Sequence, residues 1–257
     1  MKLAVFQPEA GPATPRARLS ALDQALKSHP VPAADLVLCP ELFVSGYSDA
    51  DPIRKAAGPV TGEFPAQLAA LCRKHGVAIA CGYPERDNNR LFNSALCLSA
   101  TGKLLANHRK RVLPTAYEQD LFDTGVQATV FDFGNGWRVG MVICYEAEFP
   151  EAVRALALAG AQLVLVPTAL GRDWRVVSRQ VIPSRAFENN VYLAYANYAG
   201  EDSSCRYIGD SVIVSPMGTD LARAGMDPDW ISAQLDAAAI DQARTRLPYL
   251  ADHSRLA

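Results

Sequence analysis

The sequence predicts a layered α/β domain, and three observations carry that prediction. Two short segments, Asp-Leu-Val-Leu-Cys at 35–39 and Leu-Val-Leu-Val at 163–166, are apolar on both alternating faces, and each is stopped by a proline, Pro40 or Pro167. Strands of that kind are buried between layers of helix. Longer segments with apolar residues three and four apart lie between such strands. The two halves of the chain also share a pattern of strand, helix, Pro-terminated strand, helix and strand, which suggests two similar sheets packed together.

The elements follow in order. Lys2–Gln7 reads as a first strand, and Arg16–Ser28 as a helix carrying Leu19, Leu22 and Leu26 on one face. Asp35–Cys39 is the second strand. A helix over Phe64–His75 ends at Gly76, a residue suited to a left-handed cap. Strands recur at Val77–Tyr83, Ser94–Ser99 and Leu104–Arg109, and Pro114–Gly125 reads as loop. Strands return at Thr129–Phe133 and Trp137–Ile143, a helix runs from Pro150 to Ala159, and Leu163–Val166 is again a buried strand. A helix over Val176–Glu188 and strands near Val191–Ala196 and Ser211–Val214 follow. No stretch rich in Gly, Ser or Pro separates the halves, so a single domain over residues 1–257 is expected.

Composition narrows the function. At 257 residues the chain can bury a sizeable core. Its net charge of −2 argues against nucleic-acid or anionic-membrane binding, which need a basic excess. No apolar run approaches the roughly 20 residues of a membrane span. The N-terminal MKLAVFQPEAG has one Lys and a short apolar run, unlike a signal peptide. Six cysteines, at 39, 72, 81, 97, 144 and 205, form no C-x-x-C pair, so no metal site is expected. Without a secretory signal, a reducing cytoplasm is the expected compartment.

Three segments place reactive groups just beyond apolar strands. Cys144 follows Gly-Met-Val-Ile and precedes a helix-starting pattern. At such a junction a side chain stands out of the sheet, with free N–H groups beside it. Taken alone, it reads more readily as a small core residue. Glu41, in Leu-Cys-Pro-Glu-Leu-Phe, follows a buried strand among apolar residues, which would raise its pKa and suit it to proton transfer. It reads equally as a loop or helix N-terminal charge. Lys110 lies in the basic run His108-Arg109-Lys110-Arg111, ordinarily a solvated face, yet it ends a strand and precedes Val-Leu-Pro. A buried ammonium there would favour a thiolate and hold an oxyanion.

The order Pro-Glu41-Leu-Phe, Arg-Lys110-x-x-Leu-Pro and Ile-Cys144-Tyr-Glu-x-x-Phe-Pro-Glu resembles the nitrilase superfamily of carbon–nitrogen hydrolases. Tyr117-Glu118-Gln119 with Phe122-Asp123-Thr124-Gly125 is similar to that family's second-glutamate segment. Arg185–Asn189, Asn197, Gly209-Asp210-Ser211 and Ser215-Pro216-Met217-Gly218 match later landmarks. The resemblance implies a four-layer αββα sandwich in which Glu41, Lys110 and Cys144 converge. It implies that Cys144 attacks an amide carbon to give a thioester, with Glu41 as base and acid. Lys110 and the Tyr145 N–H would hold the oxyanion, and Glu118 would hydrogen-bond the lysine. No cofactor is implied, and the expected assembly is a homodimer or larger homo-oligomer.

The same residues serve amidases, nitrilases and N-carbamoyl hydrolases, so the substrate must be read elsewhere. Nitrilases tend to carry Trp-Glu after the cysteine and carbamoyl hydrolases basic residues; here Tyr145-Glu146-Ala147-Glu148 follows. The expectation is therefore an amidase for small carboxamides, including amino-bearing ones drawn by Glu148 on a helix beginning near the cysteine. A structural salt bridge to a nearby arginine is the plainer reading of Glu148. Trp174 and Tyr145 are candidate pocket walls, though aromatics there are more often core. Arg185 and Glu188 read as a structural pair. None of the four histidines has a partner pattern for a Cys–His dyad.

Overall fold

Leu36 and Leu38 point to one side of their strand and Val37 to the other, yet all three are fully buried. Side chains alternate along a strand, so burial on both faces requires a layer on each. The computed structural model, which describes residues 1–11, 14–29, 34–203 and 205–255, shows those layers. β1 (Lys2–Gln7), β2 (Leu36–Leu38) and β3 (Ala78–Asp87) run parallel, and β4 (Arg90–Leu98) and β5 (Leu104–Arg109) extend the sheet antiparallel. In the second sheet β6 (Thr129–Gly134) pairs antiparallel with β7 (Trp137–Met141). β7, β8 (Leu163–Pro167) and β9 (Tyr192–Ala196) run parallel, and β10 (Val212–Val214) and β11 (Asp220–Arg223) are antiparallel. β12 (Asp229–Gln234) returns to the first sheet beside β1.

Leu36 and Leu38 join Val5, Met141 and Leu165 in the core between the sheets. Val37 faces outward onto α1 (Pro15–Ser28) and α3 (Glu63–His75), packing with Leu22 and Leu68; α2 (Ala50–Ala56) lies between those helices in sequence. On the far side, α5 (Pro150–Leu158) and α6 (Ile182–Asn189) cover Val164 and Leu193. The order of layers is helix, sheet, sheet, helix, the αββα sandwich. Truncating a buried leucine such as Leu68 to alanine would cost about 2–5 kcal/mol.

Each sheet has the same strand plan: one antiparallel edge strand, three parallel strands, then two antiparallel strands. In the second sheet the edge strand β6 directly precedes β7 in the chain. In the first, the equivalent place is taken by β12, from the far end of the sequence. The likeness of the two halves is therefore a repeat of topology.

Several elements differ from the sequence reading. α4 (Ala116–Leu121), capped by the Thr115 hydroxyl, lies inside the segment read as loop. The helix expected from Pro150 is present as α5, but Glu148 precedes it on a separate 3₁₀ turn over Cys144–Glu148, not on a helix beginning near the cysteine. Proline suits the first turn of a helix and has no N–H to donate to the preceding turn, so the helix restarts there. The expected helix over 176–188 is a π turn, Val177–Val181, running into α6. Pro183 removes the N–H that would bond to the carbonyl of Arg179. α7 (Ala237–Arg246) and α8 (Tyr249–Asp252) complete the described chain, with a final 3₁₀ turn at His253–Arg255.

Candidate active site

Glu41, Cys144 and Thr168 all lie just past the C-terminal ends of parallel strands, β2, β7 and β8. Ligands gather at that end of parallel sheets. The Glu41 turn is fixed from both sheets. The Phe43 N–H donates to Gly82 O at 2.9 Å, the Glu41 N–H to Thr168 O at 3.3 Å, and Tyr198 OH donates to Glu41 O at 2.8 Å. Gly82 is required here, because a Cβ on it would come within 2.6 Å of Glu41 Cα and 2.5 Å of Leu42 N.

Glu41 is wholly buried. Its Oε1 accepts from Lys110 Nζ at 2.7 Å and from Asn93 Nδ2 at 2.7 Å, while Oε2 is buried with no hydrogen-bond partner among the described residues. Burial pushes this carboxyl above the usual range; Lys110 pulls it down and Glu118 pushes it up, and burial prevails. An ionised Glu41 thus has one oxygen held and one free to take a proton.

Lys110, also wholly buried, follows β5 and spends its donors on two carboxylates. Besides Glu41, it reaches Glu118 Oε1 at 3.0 Å and Oε2 at 2.8 Å. Burial opposes its charge, but Glu41, Cys144 and Glu118 outweigh it and keep the ammonium protonated. Glu118 reaches inward from α4 and also accepts from Tyr47 OH at 2.5 Å. The arrangement is one cation between two anions, with each oxygen of Glu118 bonded.

Cys144 opens the 3₁₀ turn with φ of 48°, a left-handed conformation for a residue with a side chain. Such strain collects at functional sites. Burial and the Glu41 charge push the thiol up, against Lys110, the Thr168 hydroxyl and the Ala169 N–H, so it rests as S–H. Glu146, two residues on and wholly buried, takes the Ile143 N–H at 2.8 Å and His108 Nε2 at 2.8 Å. The first N–H groups of a helical turn have no partner within it, which leaves the Tyr145 N–H available beside the thiol.

The structure thus brings together Glu41, Lys110, Glu118 and Cys144. Tyr145 packs edge-on to Phe149, with ring centres 5.0 Å apart. Glu148 is half-buried, and its carboxylate makes no ion pair among the described residues. Arg185 instead donates to the backbone carbonyls of Ala147 at 3.1 Å and Glu148 at 2.6 Å and pairs with Glu188 at 3.1 Å. Burial holds Glu148 above the usual carboxylate range, although Arg185 and Lys110 draw it down. Trp174 lies on a 3₁₀ turn after β8 and is 62% exposed. Sequence reasoning missed Asn93, Tyr47, His108 and Glu146. Only the basic run at 108–111 carried a signal, that one of its members points inward. A cavity of about 860 Å³ lies against Tyr47, lined also by Ser45, Ser48, Pro52, Lys55 and Asp202. It holds neither Cys144 nor Lys110, so the reactive groups, not the cavity, locate the site. Among the described residues no group of three or more His, Cys, Asp or Glu is placed to hold a metal ion.

The carbon–nitrogen hydrolase family model matches residues 2–245. The chain is 37% identical over 254 residues to a protein of Pseudomonas protegens named "hydrolase in pqqF 5′ region", spanning 98% of this chain and 88% of that one. It is 32% identical to an (R)-stereoselective amidase of a Pseudomonas species, over 85% of this chain and 79% of that one. The amidase of Nesterenkonia sp. AN1 superposes with a TM-score of 0.83 at 32% identity, covering 96% of this chain and 95% of that one. Variants of that amidase are known in complex with acrylamide and with butyramide.

Proposed function

The chain belongs to the carbon–nitrogen hydrolase family, and from that premise we propose that it is an amidase, hydrolysing small carboxamides to the carboxylic acid and ammonia. Glu41 Oε2 takes the Cys144 thiol proton as sulfur attacks the amide carbon. Lys110 and the Tyr145 N–H hold the tetrahedral oxyanion. The C–N bond breaks as Glu41 returns the proton to nitrogen, leaving a thioester on Cys144 and free ammonia. Water, deprotonated by Glu41, then attacks the thioester and releases acid and thiol. Glu118 and Tyr47 keep Lys110 in place throughout.

One observation carries this reading: the buried Oε2 of Glu41, without a partner among the described residues, while the other oxygen is tied to Lys110 and Asn93. A base prepared for the thiol explains why a thiol pushed up by burial can still attack. The amide-bound relative supports amides over nitriles as substrates. Among amides, the half-buried Glu148 carboxylate, which has no ion pair among the described residues, supports acyl chains bearing a cationic amino group, with Tyr145 and Trp174 as walls. One domain over residues 1–257, a homodimer and a cytoplasmic setting complete the proposal; six free thiols suit a reducing compartment. Ammonia release measured across amides, amino-amides, nitriles and ureido acids tests it, with the acyl-Cys144 adduct read by mass spectrometry. Turnover of nitriles or ureido acids in preference to amides would overturn it.

A further inference from the structure

The catalytic groups come from different sheets. Lys110 follows β5 of the first sheet and Cys144 follows β7 of the second. The core between the sheets is apolar and hydrophobic contact is non-directional, and the bonds of Thr168 and Tyr198 tie the second sheet to the Glu41 turn, not to the Lys110 segment. Something directional must set where sulfur stands relative to ammonium.

We propose that Glu146 is a positioning residue that staples the Lys110 segment to the Cys144 segment. Its two oxygens divide the work. Oε2 accepts from the Ile143 N–H at 2.8 Å, immediately before Cys144, and from His108 Nε2 at 2.8 Å, two residues before Lys110. Oε1 accepts from the Arg111 N–H at 3.3 Å and from Arg111 Nε at 3.0 Å, immediately after Lys110. Each catalytic residue is therefore flanked by groups bound to one buried carboxylate. His108 is held at its other nitrogen as well, 3.0 Å from Thr129 Oγ1. None of these bonds reaches a reacting atom, so Glu146 acts through Cys144 and Lys110. Glu146 and His108 are wholly buried, and hydrogen bonds among such groups strengthen one another.

Glu85 offers a matched comparison. It is 2% exposed and also accepts four hydrogen bonds, from Ser94, Asn107 and twice from Arg109, but all its partners lie in the first sheet. It strengthens one sheet without joining two.

The inference rests on the amidase reading for its kinetics, and the test separates the two. Glu146→Gln keeps the side chain's size but leaves one acceptor oxygen where there were two. A displacement of about 1 Å at reacting groups costs about 10²-fold, so kcat should fall by about that factor with KM within about threefold. The rate at which iodoacetamide alkylates Cys144 should fall in parallel, and this needs no amide turnover. Glu85→Gln should lose comparable thermal stability while keeping kcat. If Glu146→Gln does not fold, His108→Gln, which withdraws one of the four bonds, should cost about tenfold in both rates. Alkylation at the wild-type rate, or equal losses of kcat in Glu146→Gln and Glu85→Gln, would overturn the staple. Wild-type protein that alkylates but hydrolyses no amide would overturn the amidase reading alone.

Discussion

Lys110 Nζ stands 2.7 Å from Glu41 Oε1, and Glu41 Oε2 has no partner among the described residues. An ion pair is usually the end of a carboxylate's reactivity, since both charges are satisfied. Here the pairing is lopsided. Oε1 also takes the Asn93 amide, so the carboxylate is anchored through one oxygen and presents the other. Burial favours the protonated form strongly enough that the lysine does not silence it.

The first prediction follows from that asymmetry. Glu41→Gln keeps a partner for Lys110 through its carbonyl but has no basic oxygen. General acid–base groups contribute about 10²–10⁴-fold, so kcat should fall within that range. Asn93→Ala removes only the second anchor on Oε1 and should cost about tenfold in kcat with little change in KM. Steady-state ammonia release measures both. A larger loss for Asn93→Ala than for Glu41→Gln would contradict the assignment of the base.

The pH dependence follows from the same carboxyl. Activity requires Glu41 ionised, and its pKa lies above the ordinary 4.5, so the acid limb of kcat/KM should also lie above it. Lys110→Met withdraws the charge that pulls Glu41 down, and should move that limb to higher pH. The linkage to stability has a definite sign. A carboxyl raised in the folded state contributes stability below its unfolded pKa and loses it as pH rises through the folded value. The melting temperature of Glu41→Gln, relative to wild type, should therefore be higher at about pH 8 than at about pH 5. Thermal melts at the two pH values check the sign.

Much of this was legible in the sequence because it depends on local pattern. β1 and β5 run over the residues read as strands, and α3 ends at a left-handed Gly76. What was not legible depends on distant partners. β12 buries little but Ile231 and is a strand because it pairs with β1 across the whole chain. α4 is too short to show a period, and Glu118 faces inward from it because Lys110 is there to meet it. The run 108–111 looks like a solvated face, yet His108 and Lys110 are wholly buried, each made tolerable by carboxylates remote in sequence. Cys144, Glu41 and Lys110 were recognisable as a constellation. Asn93, Tyr47 and Glu146 were not, since polar residues beside strands are common and only their bonds single them out.

The Glu41 turn also depends on a glycine. Gly82 lies in β3, where any side chain would enter the backbone of Pro40–Leu42 at 2.5–2.6 Å. Those atoms are backbone, held by the Gly82 N–H on Pro40 O at 3.1 Å and the Phe43 N–H on Gly82 O, and have little room to give. Overpacking of this kind costs about 1–3 kcal/mol. Gly82→Ala should lower the melting temperature and, by moving Glu41, reduce kcat disproportionately. A folded Gly82→Ala protein with wild-type kcat would show that the base tolerates movement and that its alignment is looser than the distances imply.

Glu148 is where substrate preference should be read. Its backbone carbonyl is clamped by Arg185, yet its carboxylate makes no ion pair among the described residues and is close enough to feel Lys110. A structural acid would have used the arginine beside it; Arg185 pairs with Glu188 instead. Among the described carboxylates around Cys144, Glu41 and Glu118 share Lys110 and Glu146 pairs with His108 and Arg111, which leaves an imbalance of charge at Glu148. An acyl chain bearing an amino group would relieve that imbalance, whereas a carboxylate-bearing one would add to it. Glu148→Gln should reduce kcat/KM for a small amino-amide about tenfold, the equivalent of about 1.4 kcal/mol. Its uncharged analogue should stay within about twofold. Because Glu148 shares a turn with Cys144, the ratio of the two substrates is the informative reading: a general disturbance of the turn lowers both together. Equal losses would assign Glu148 to the architecture of the turn, and a loss confined to the cationic amide would place it in the acyl subsite.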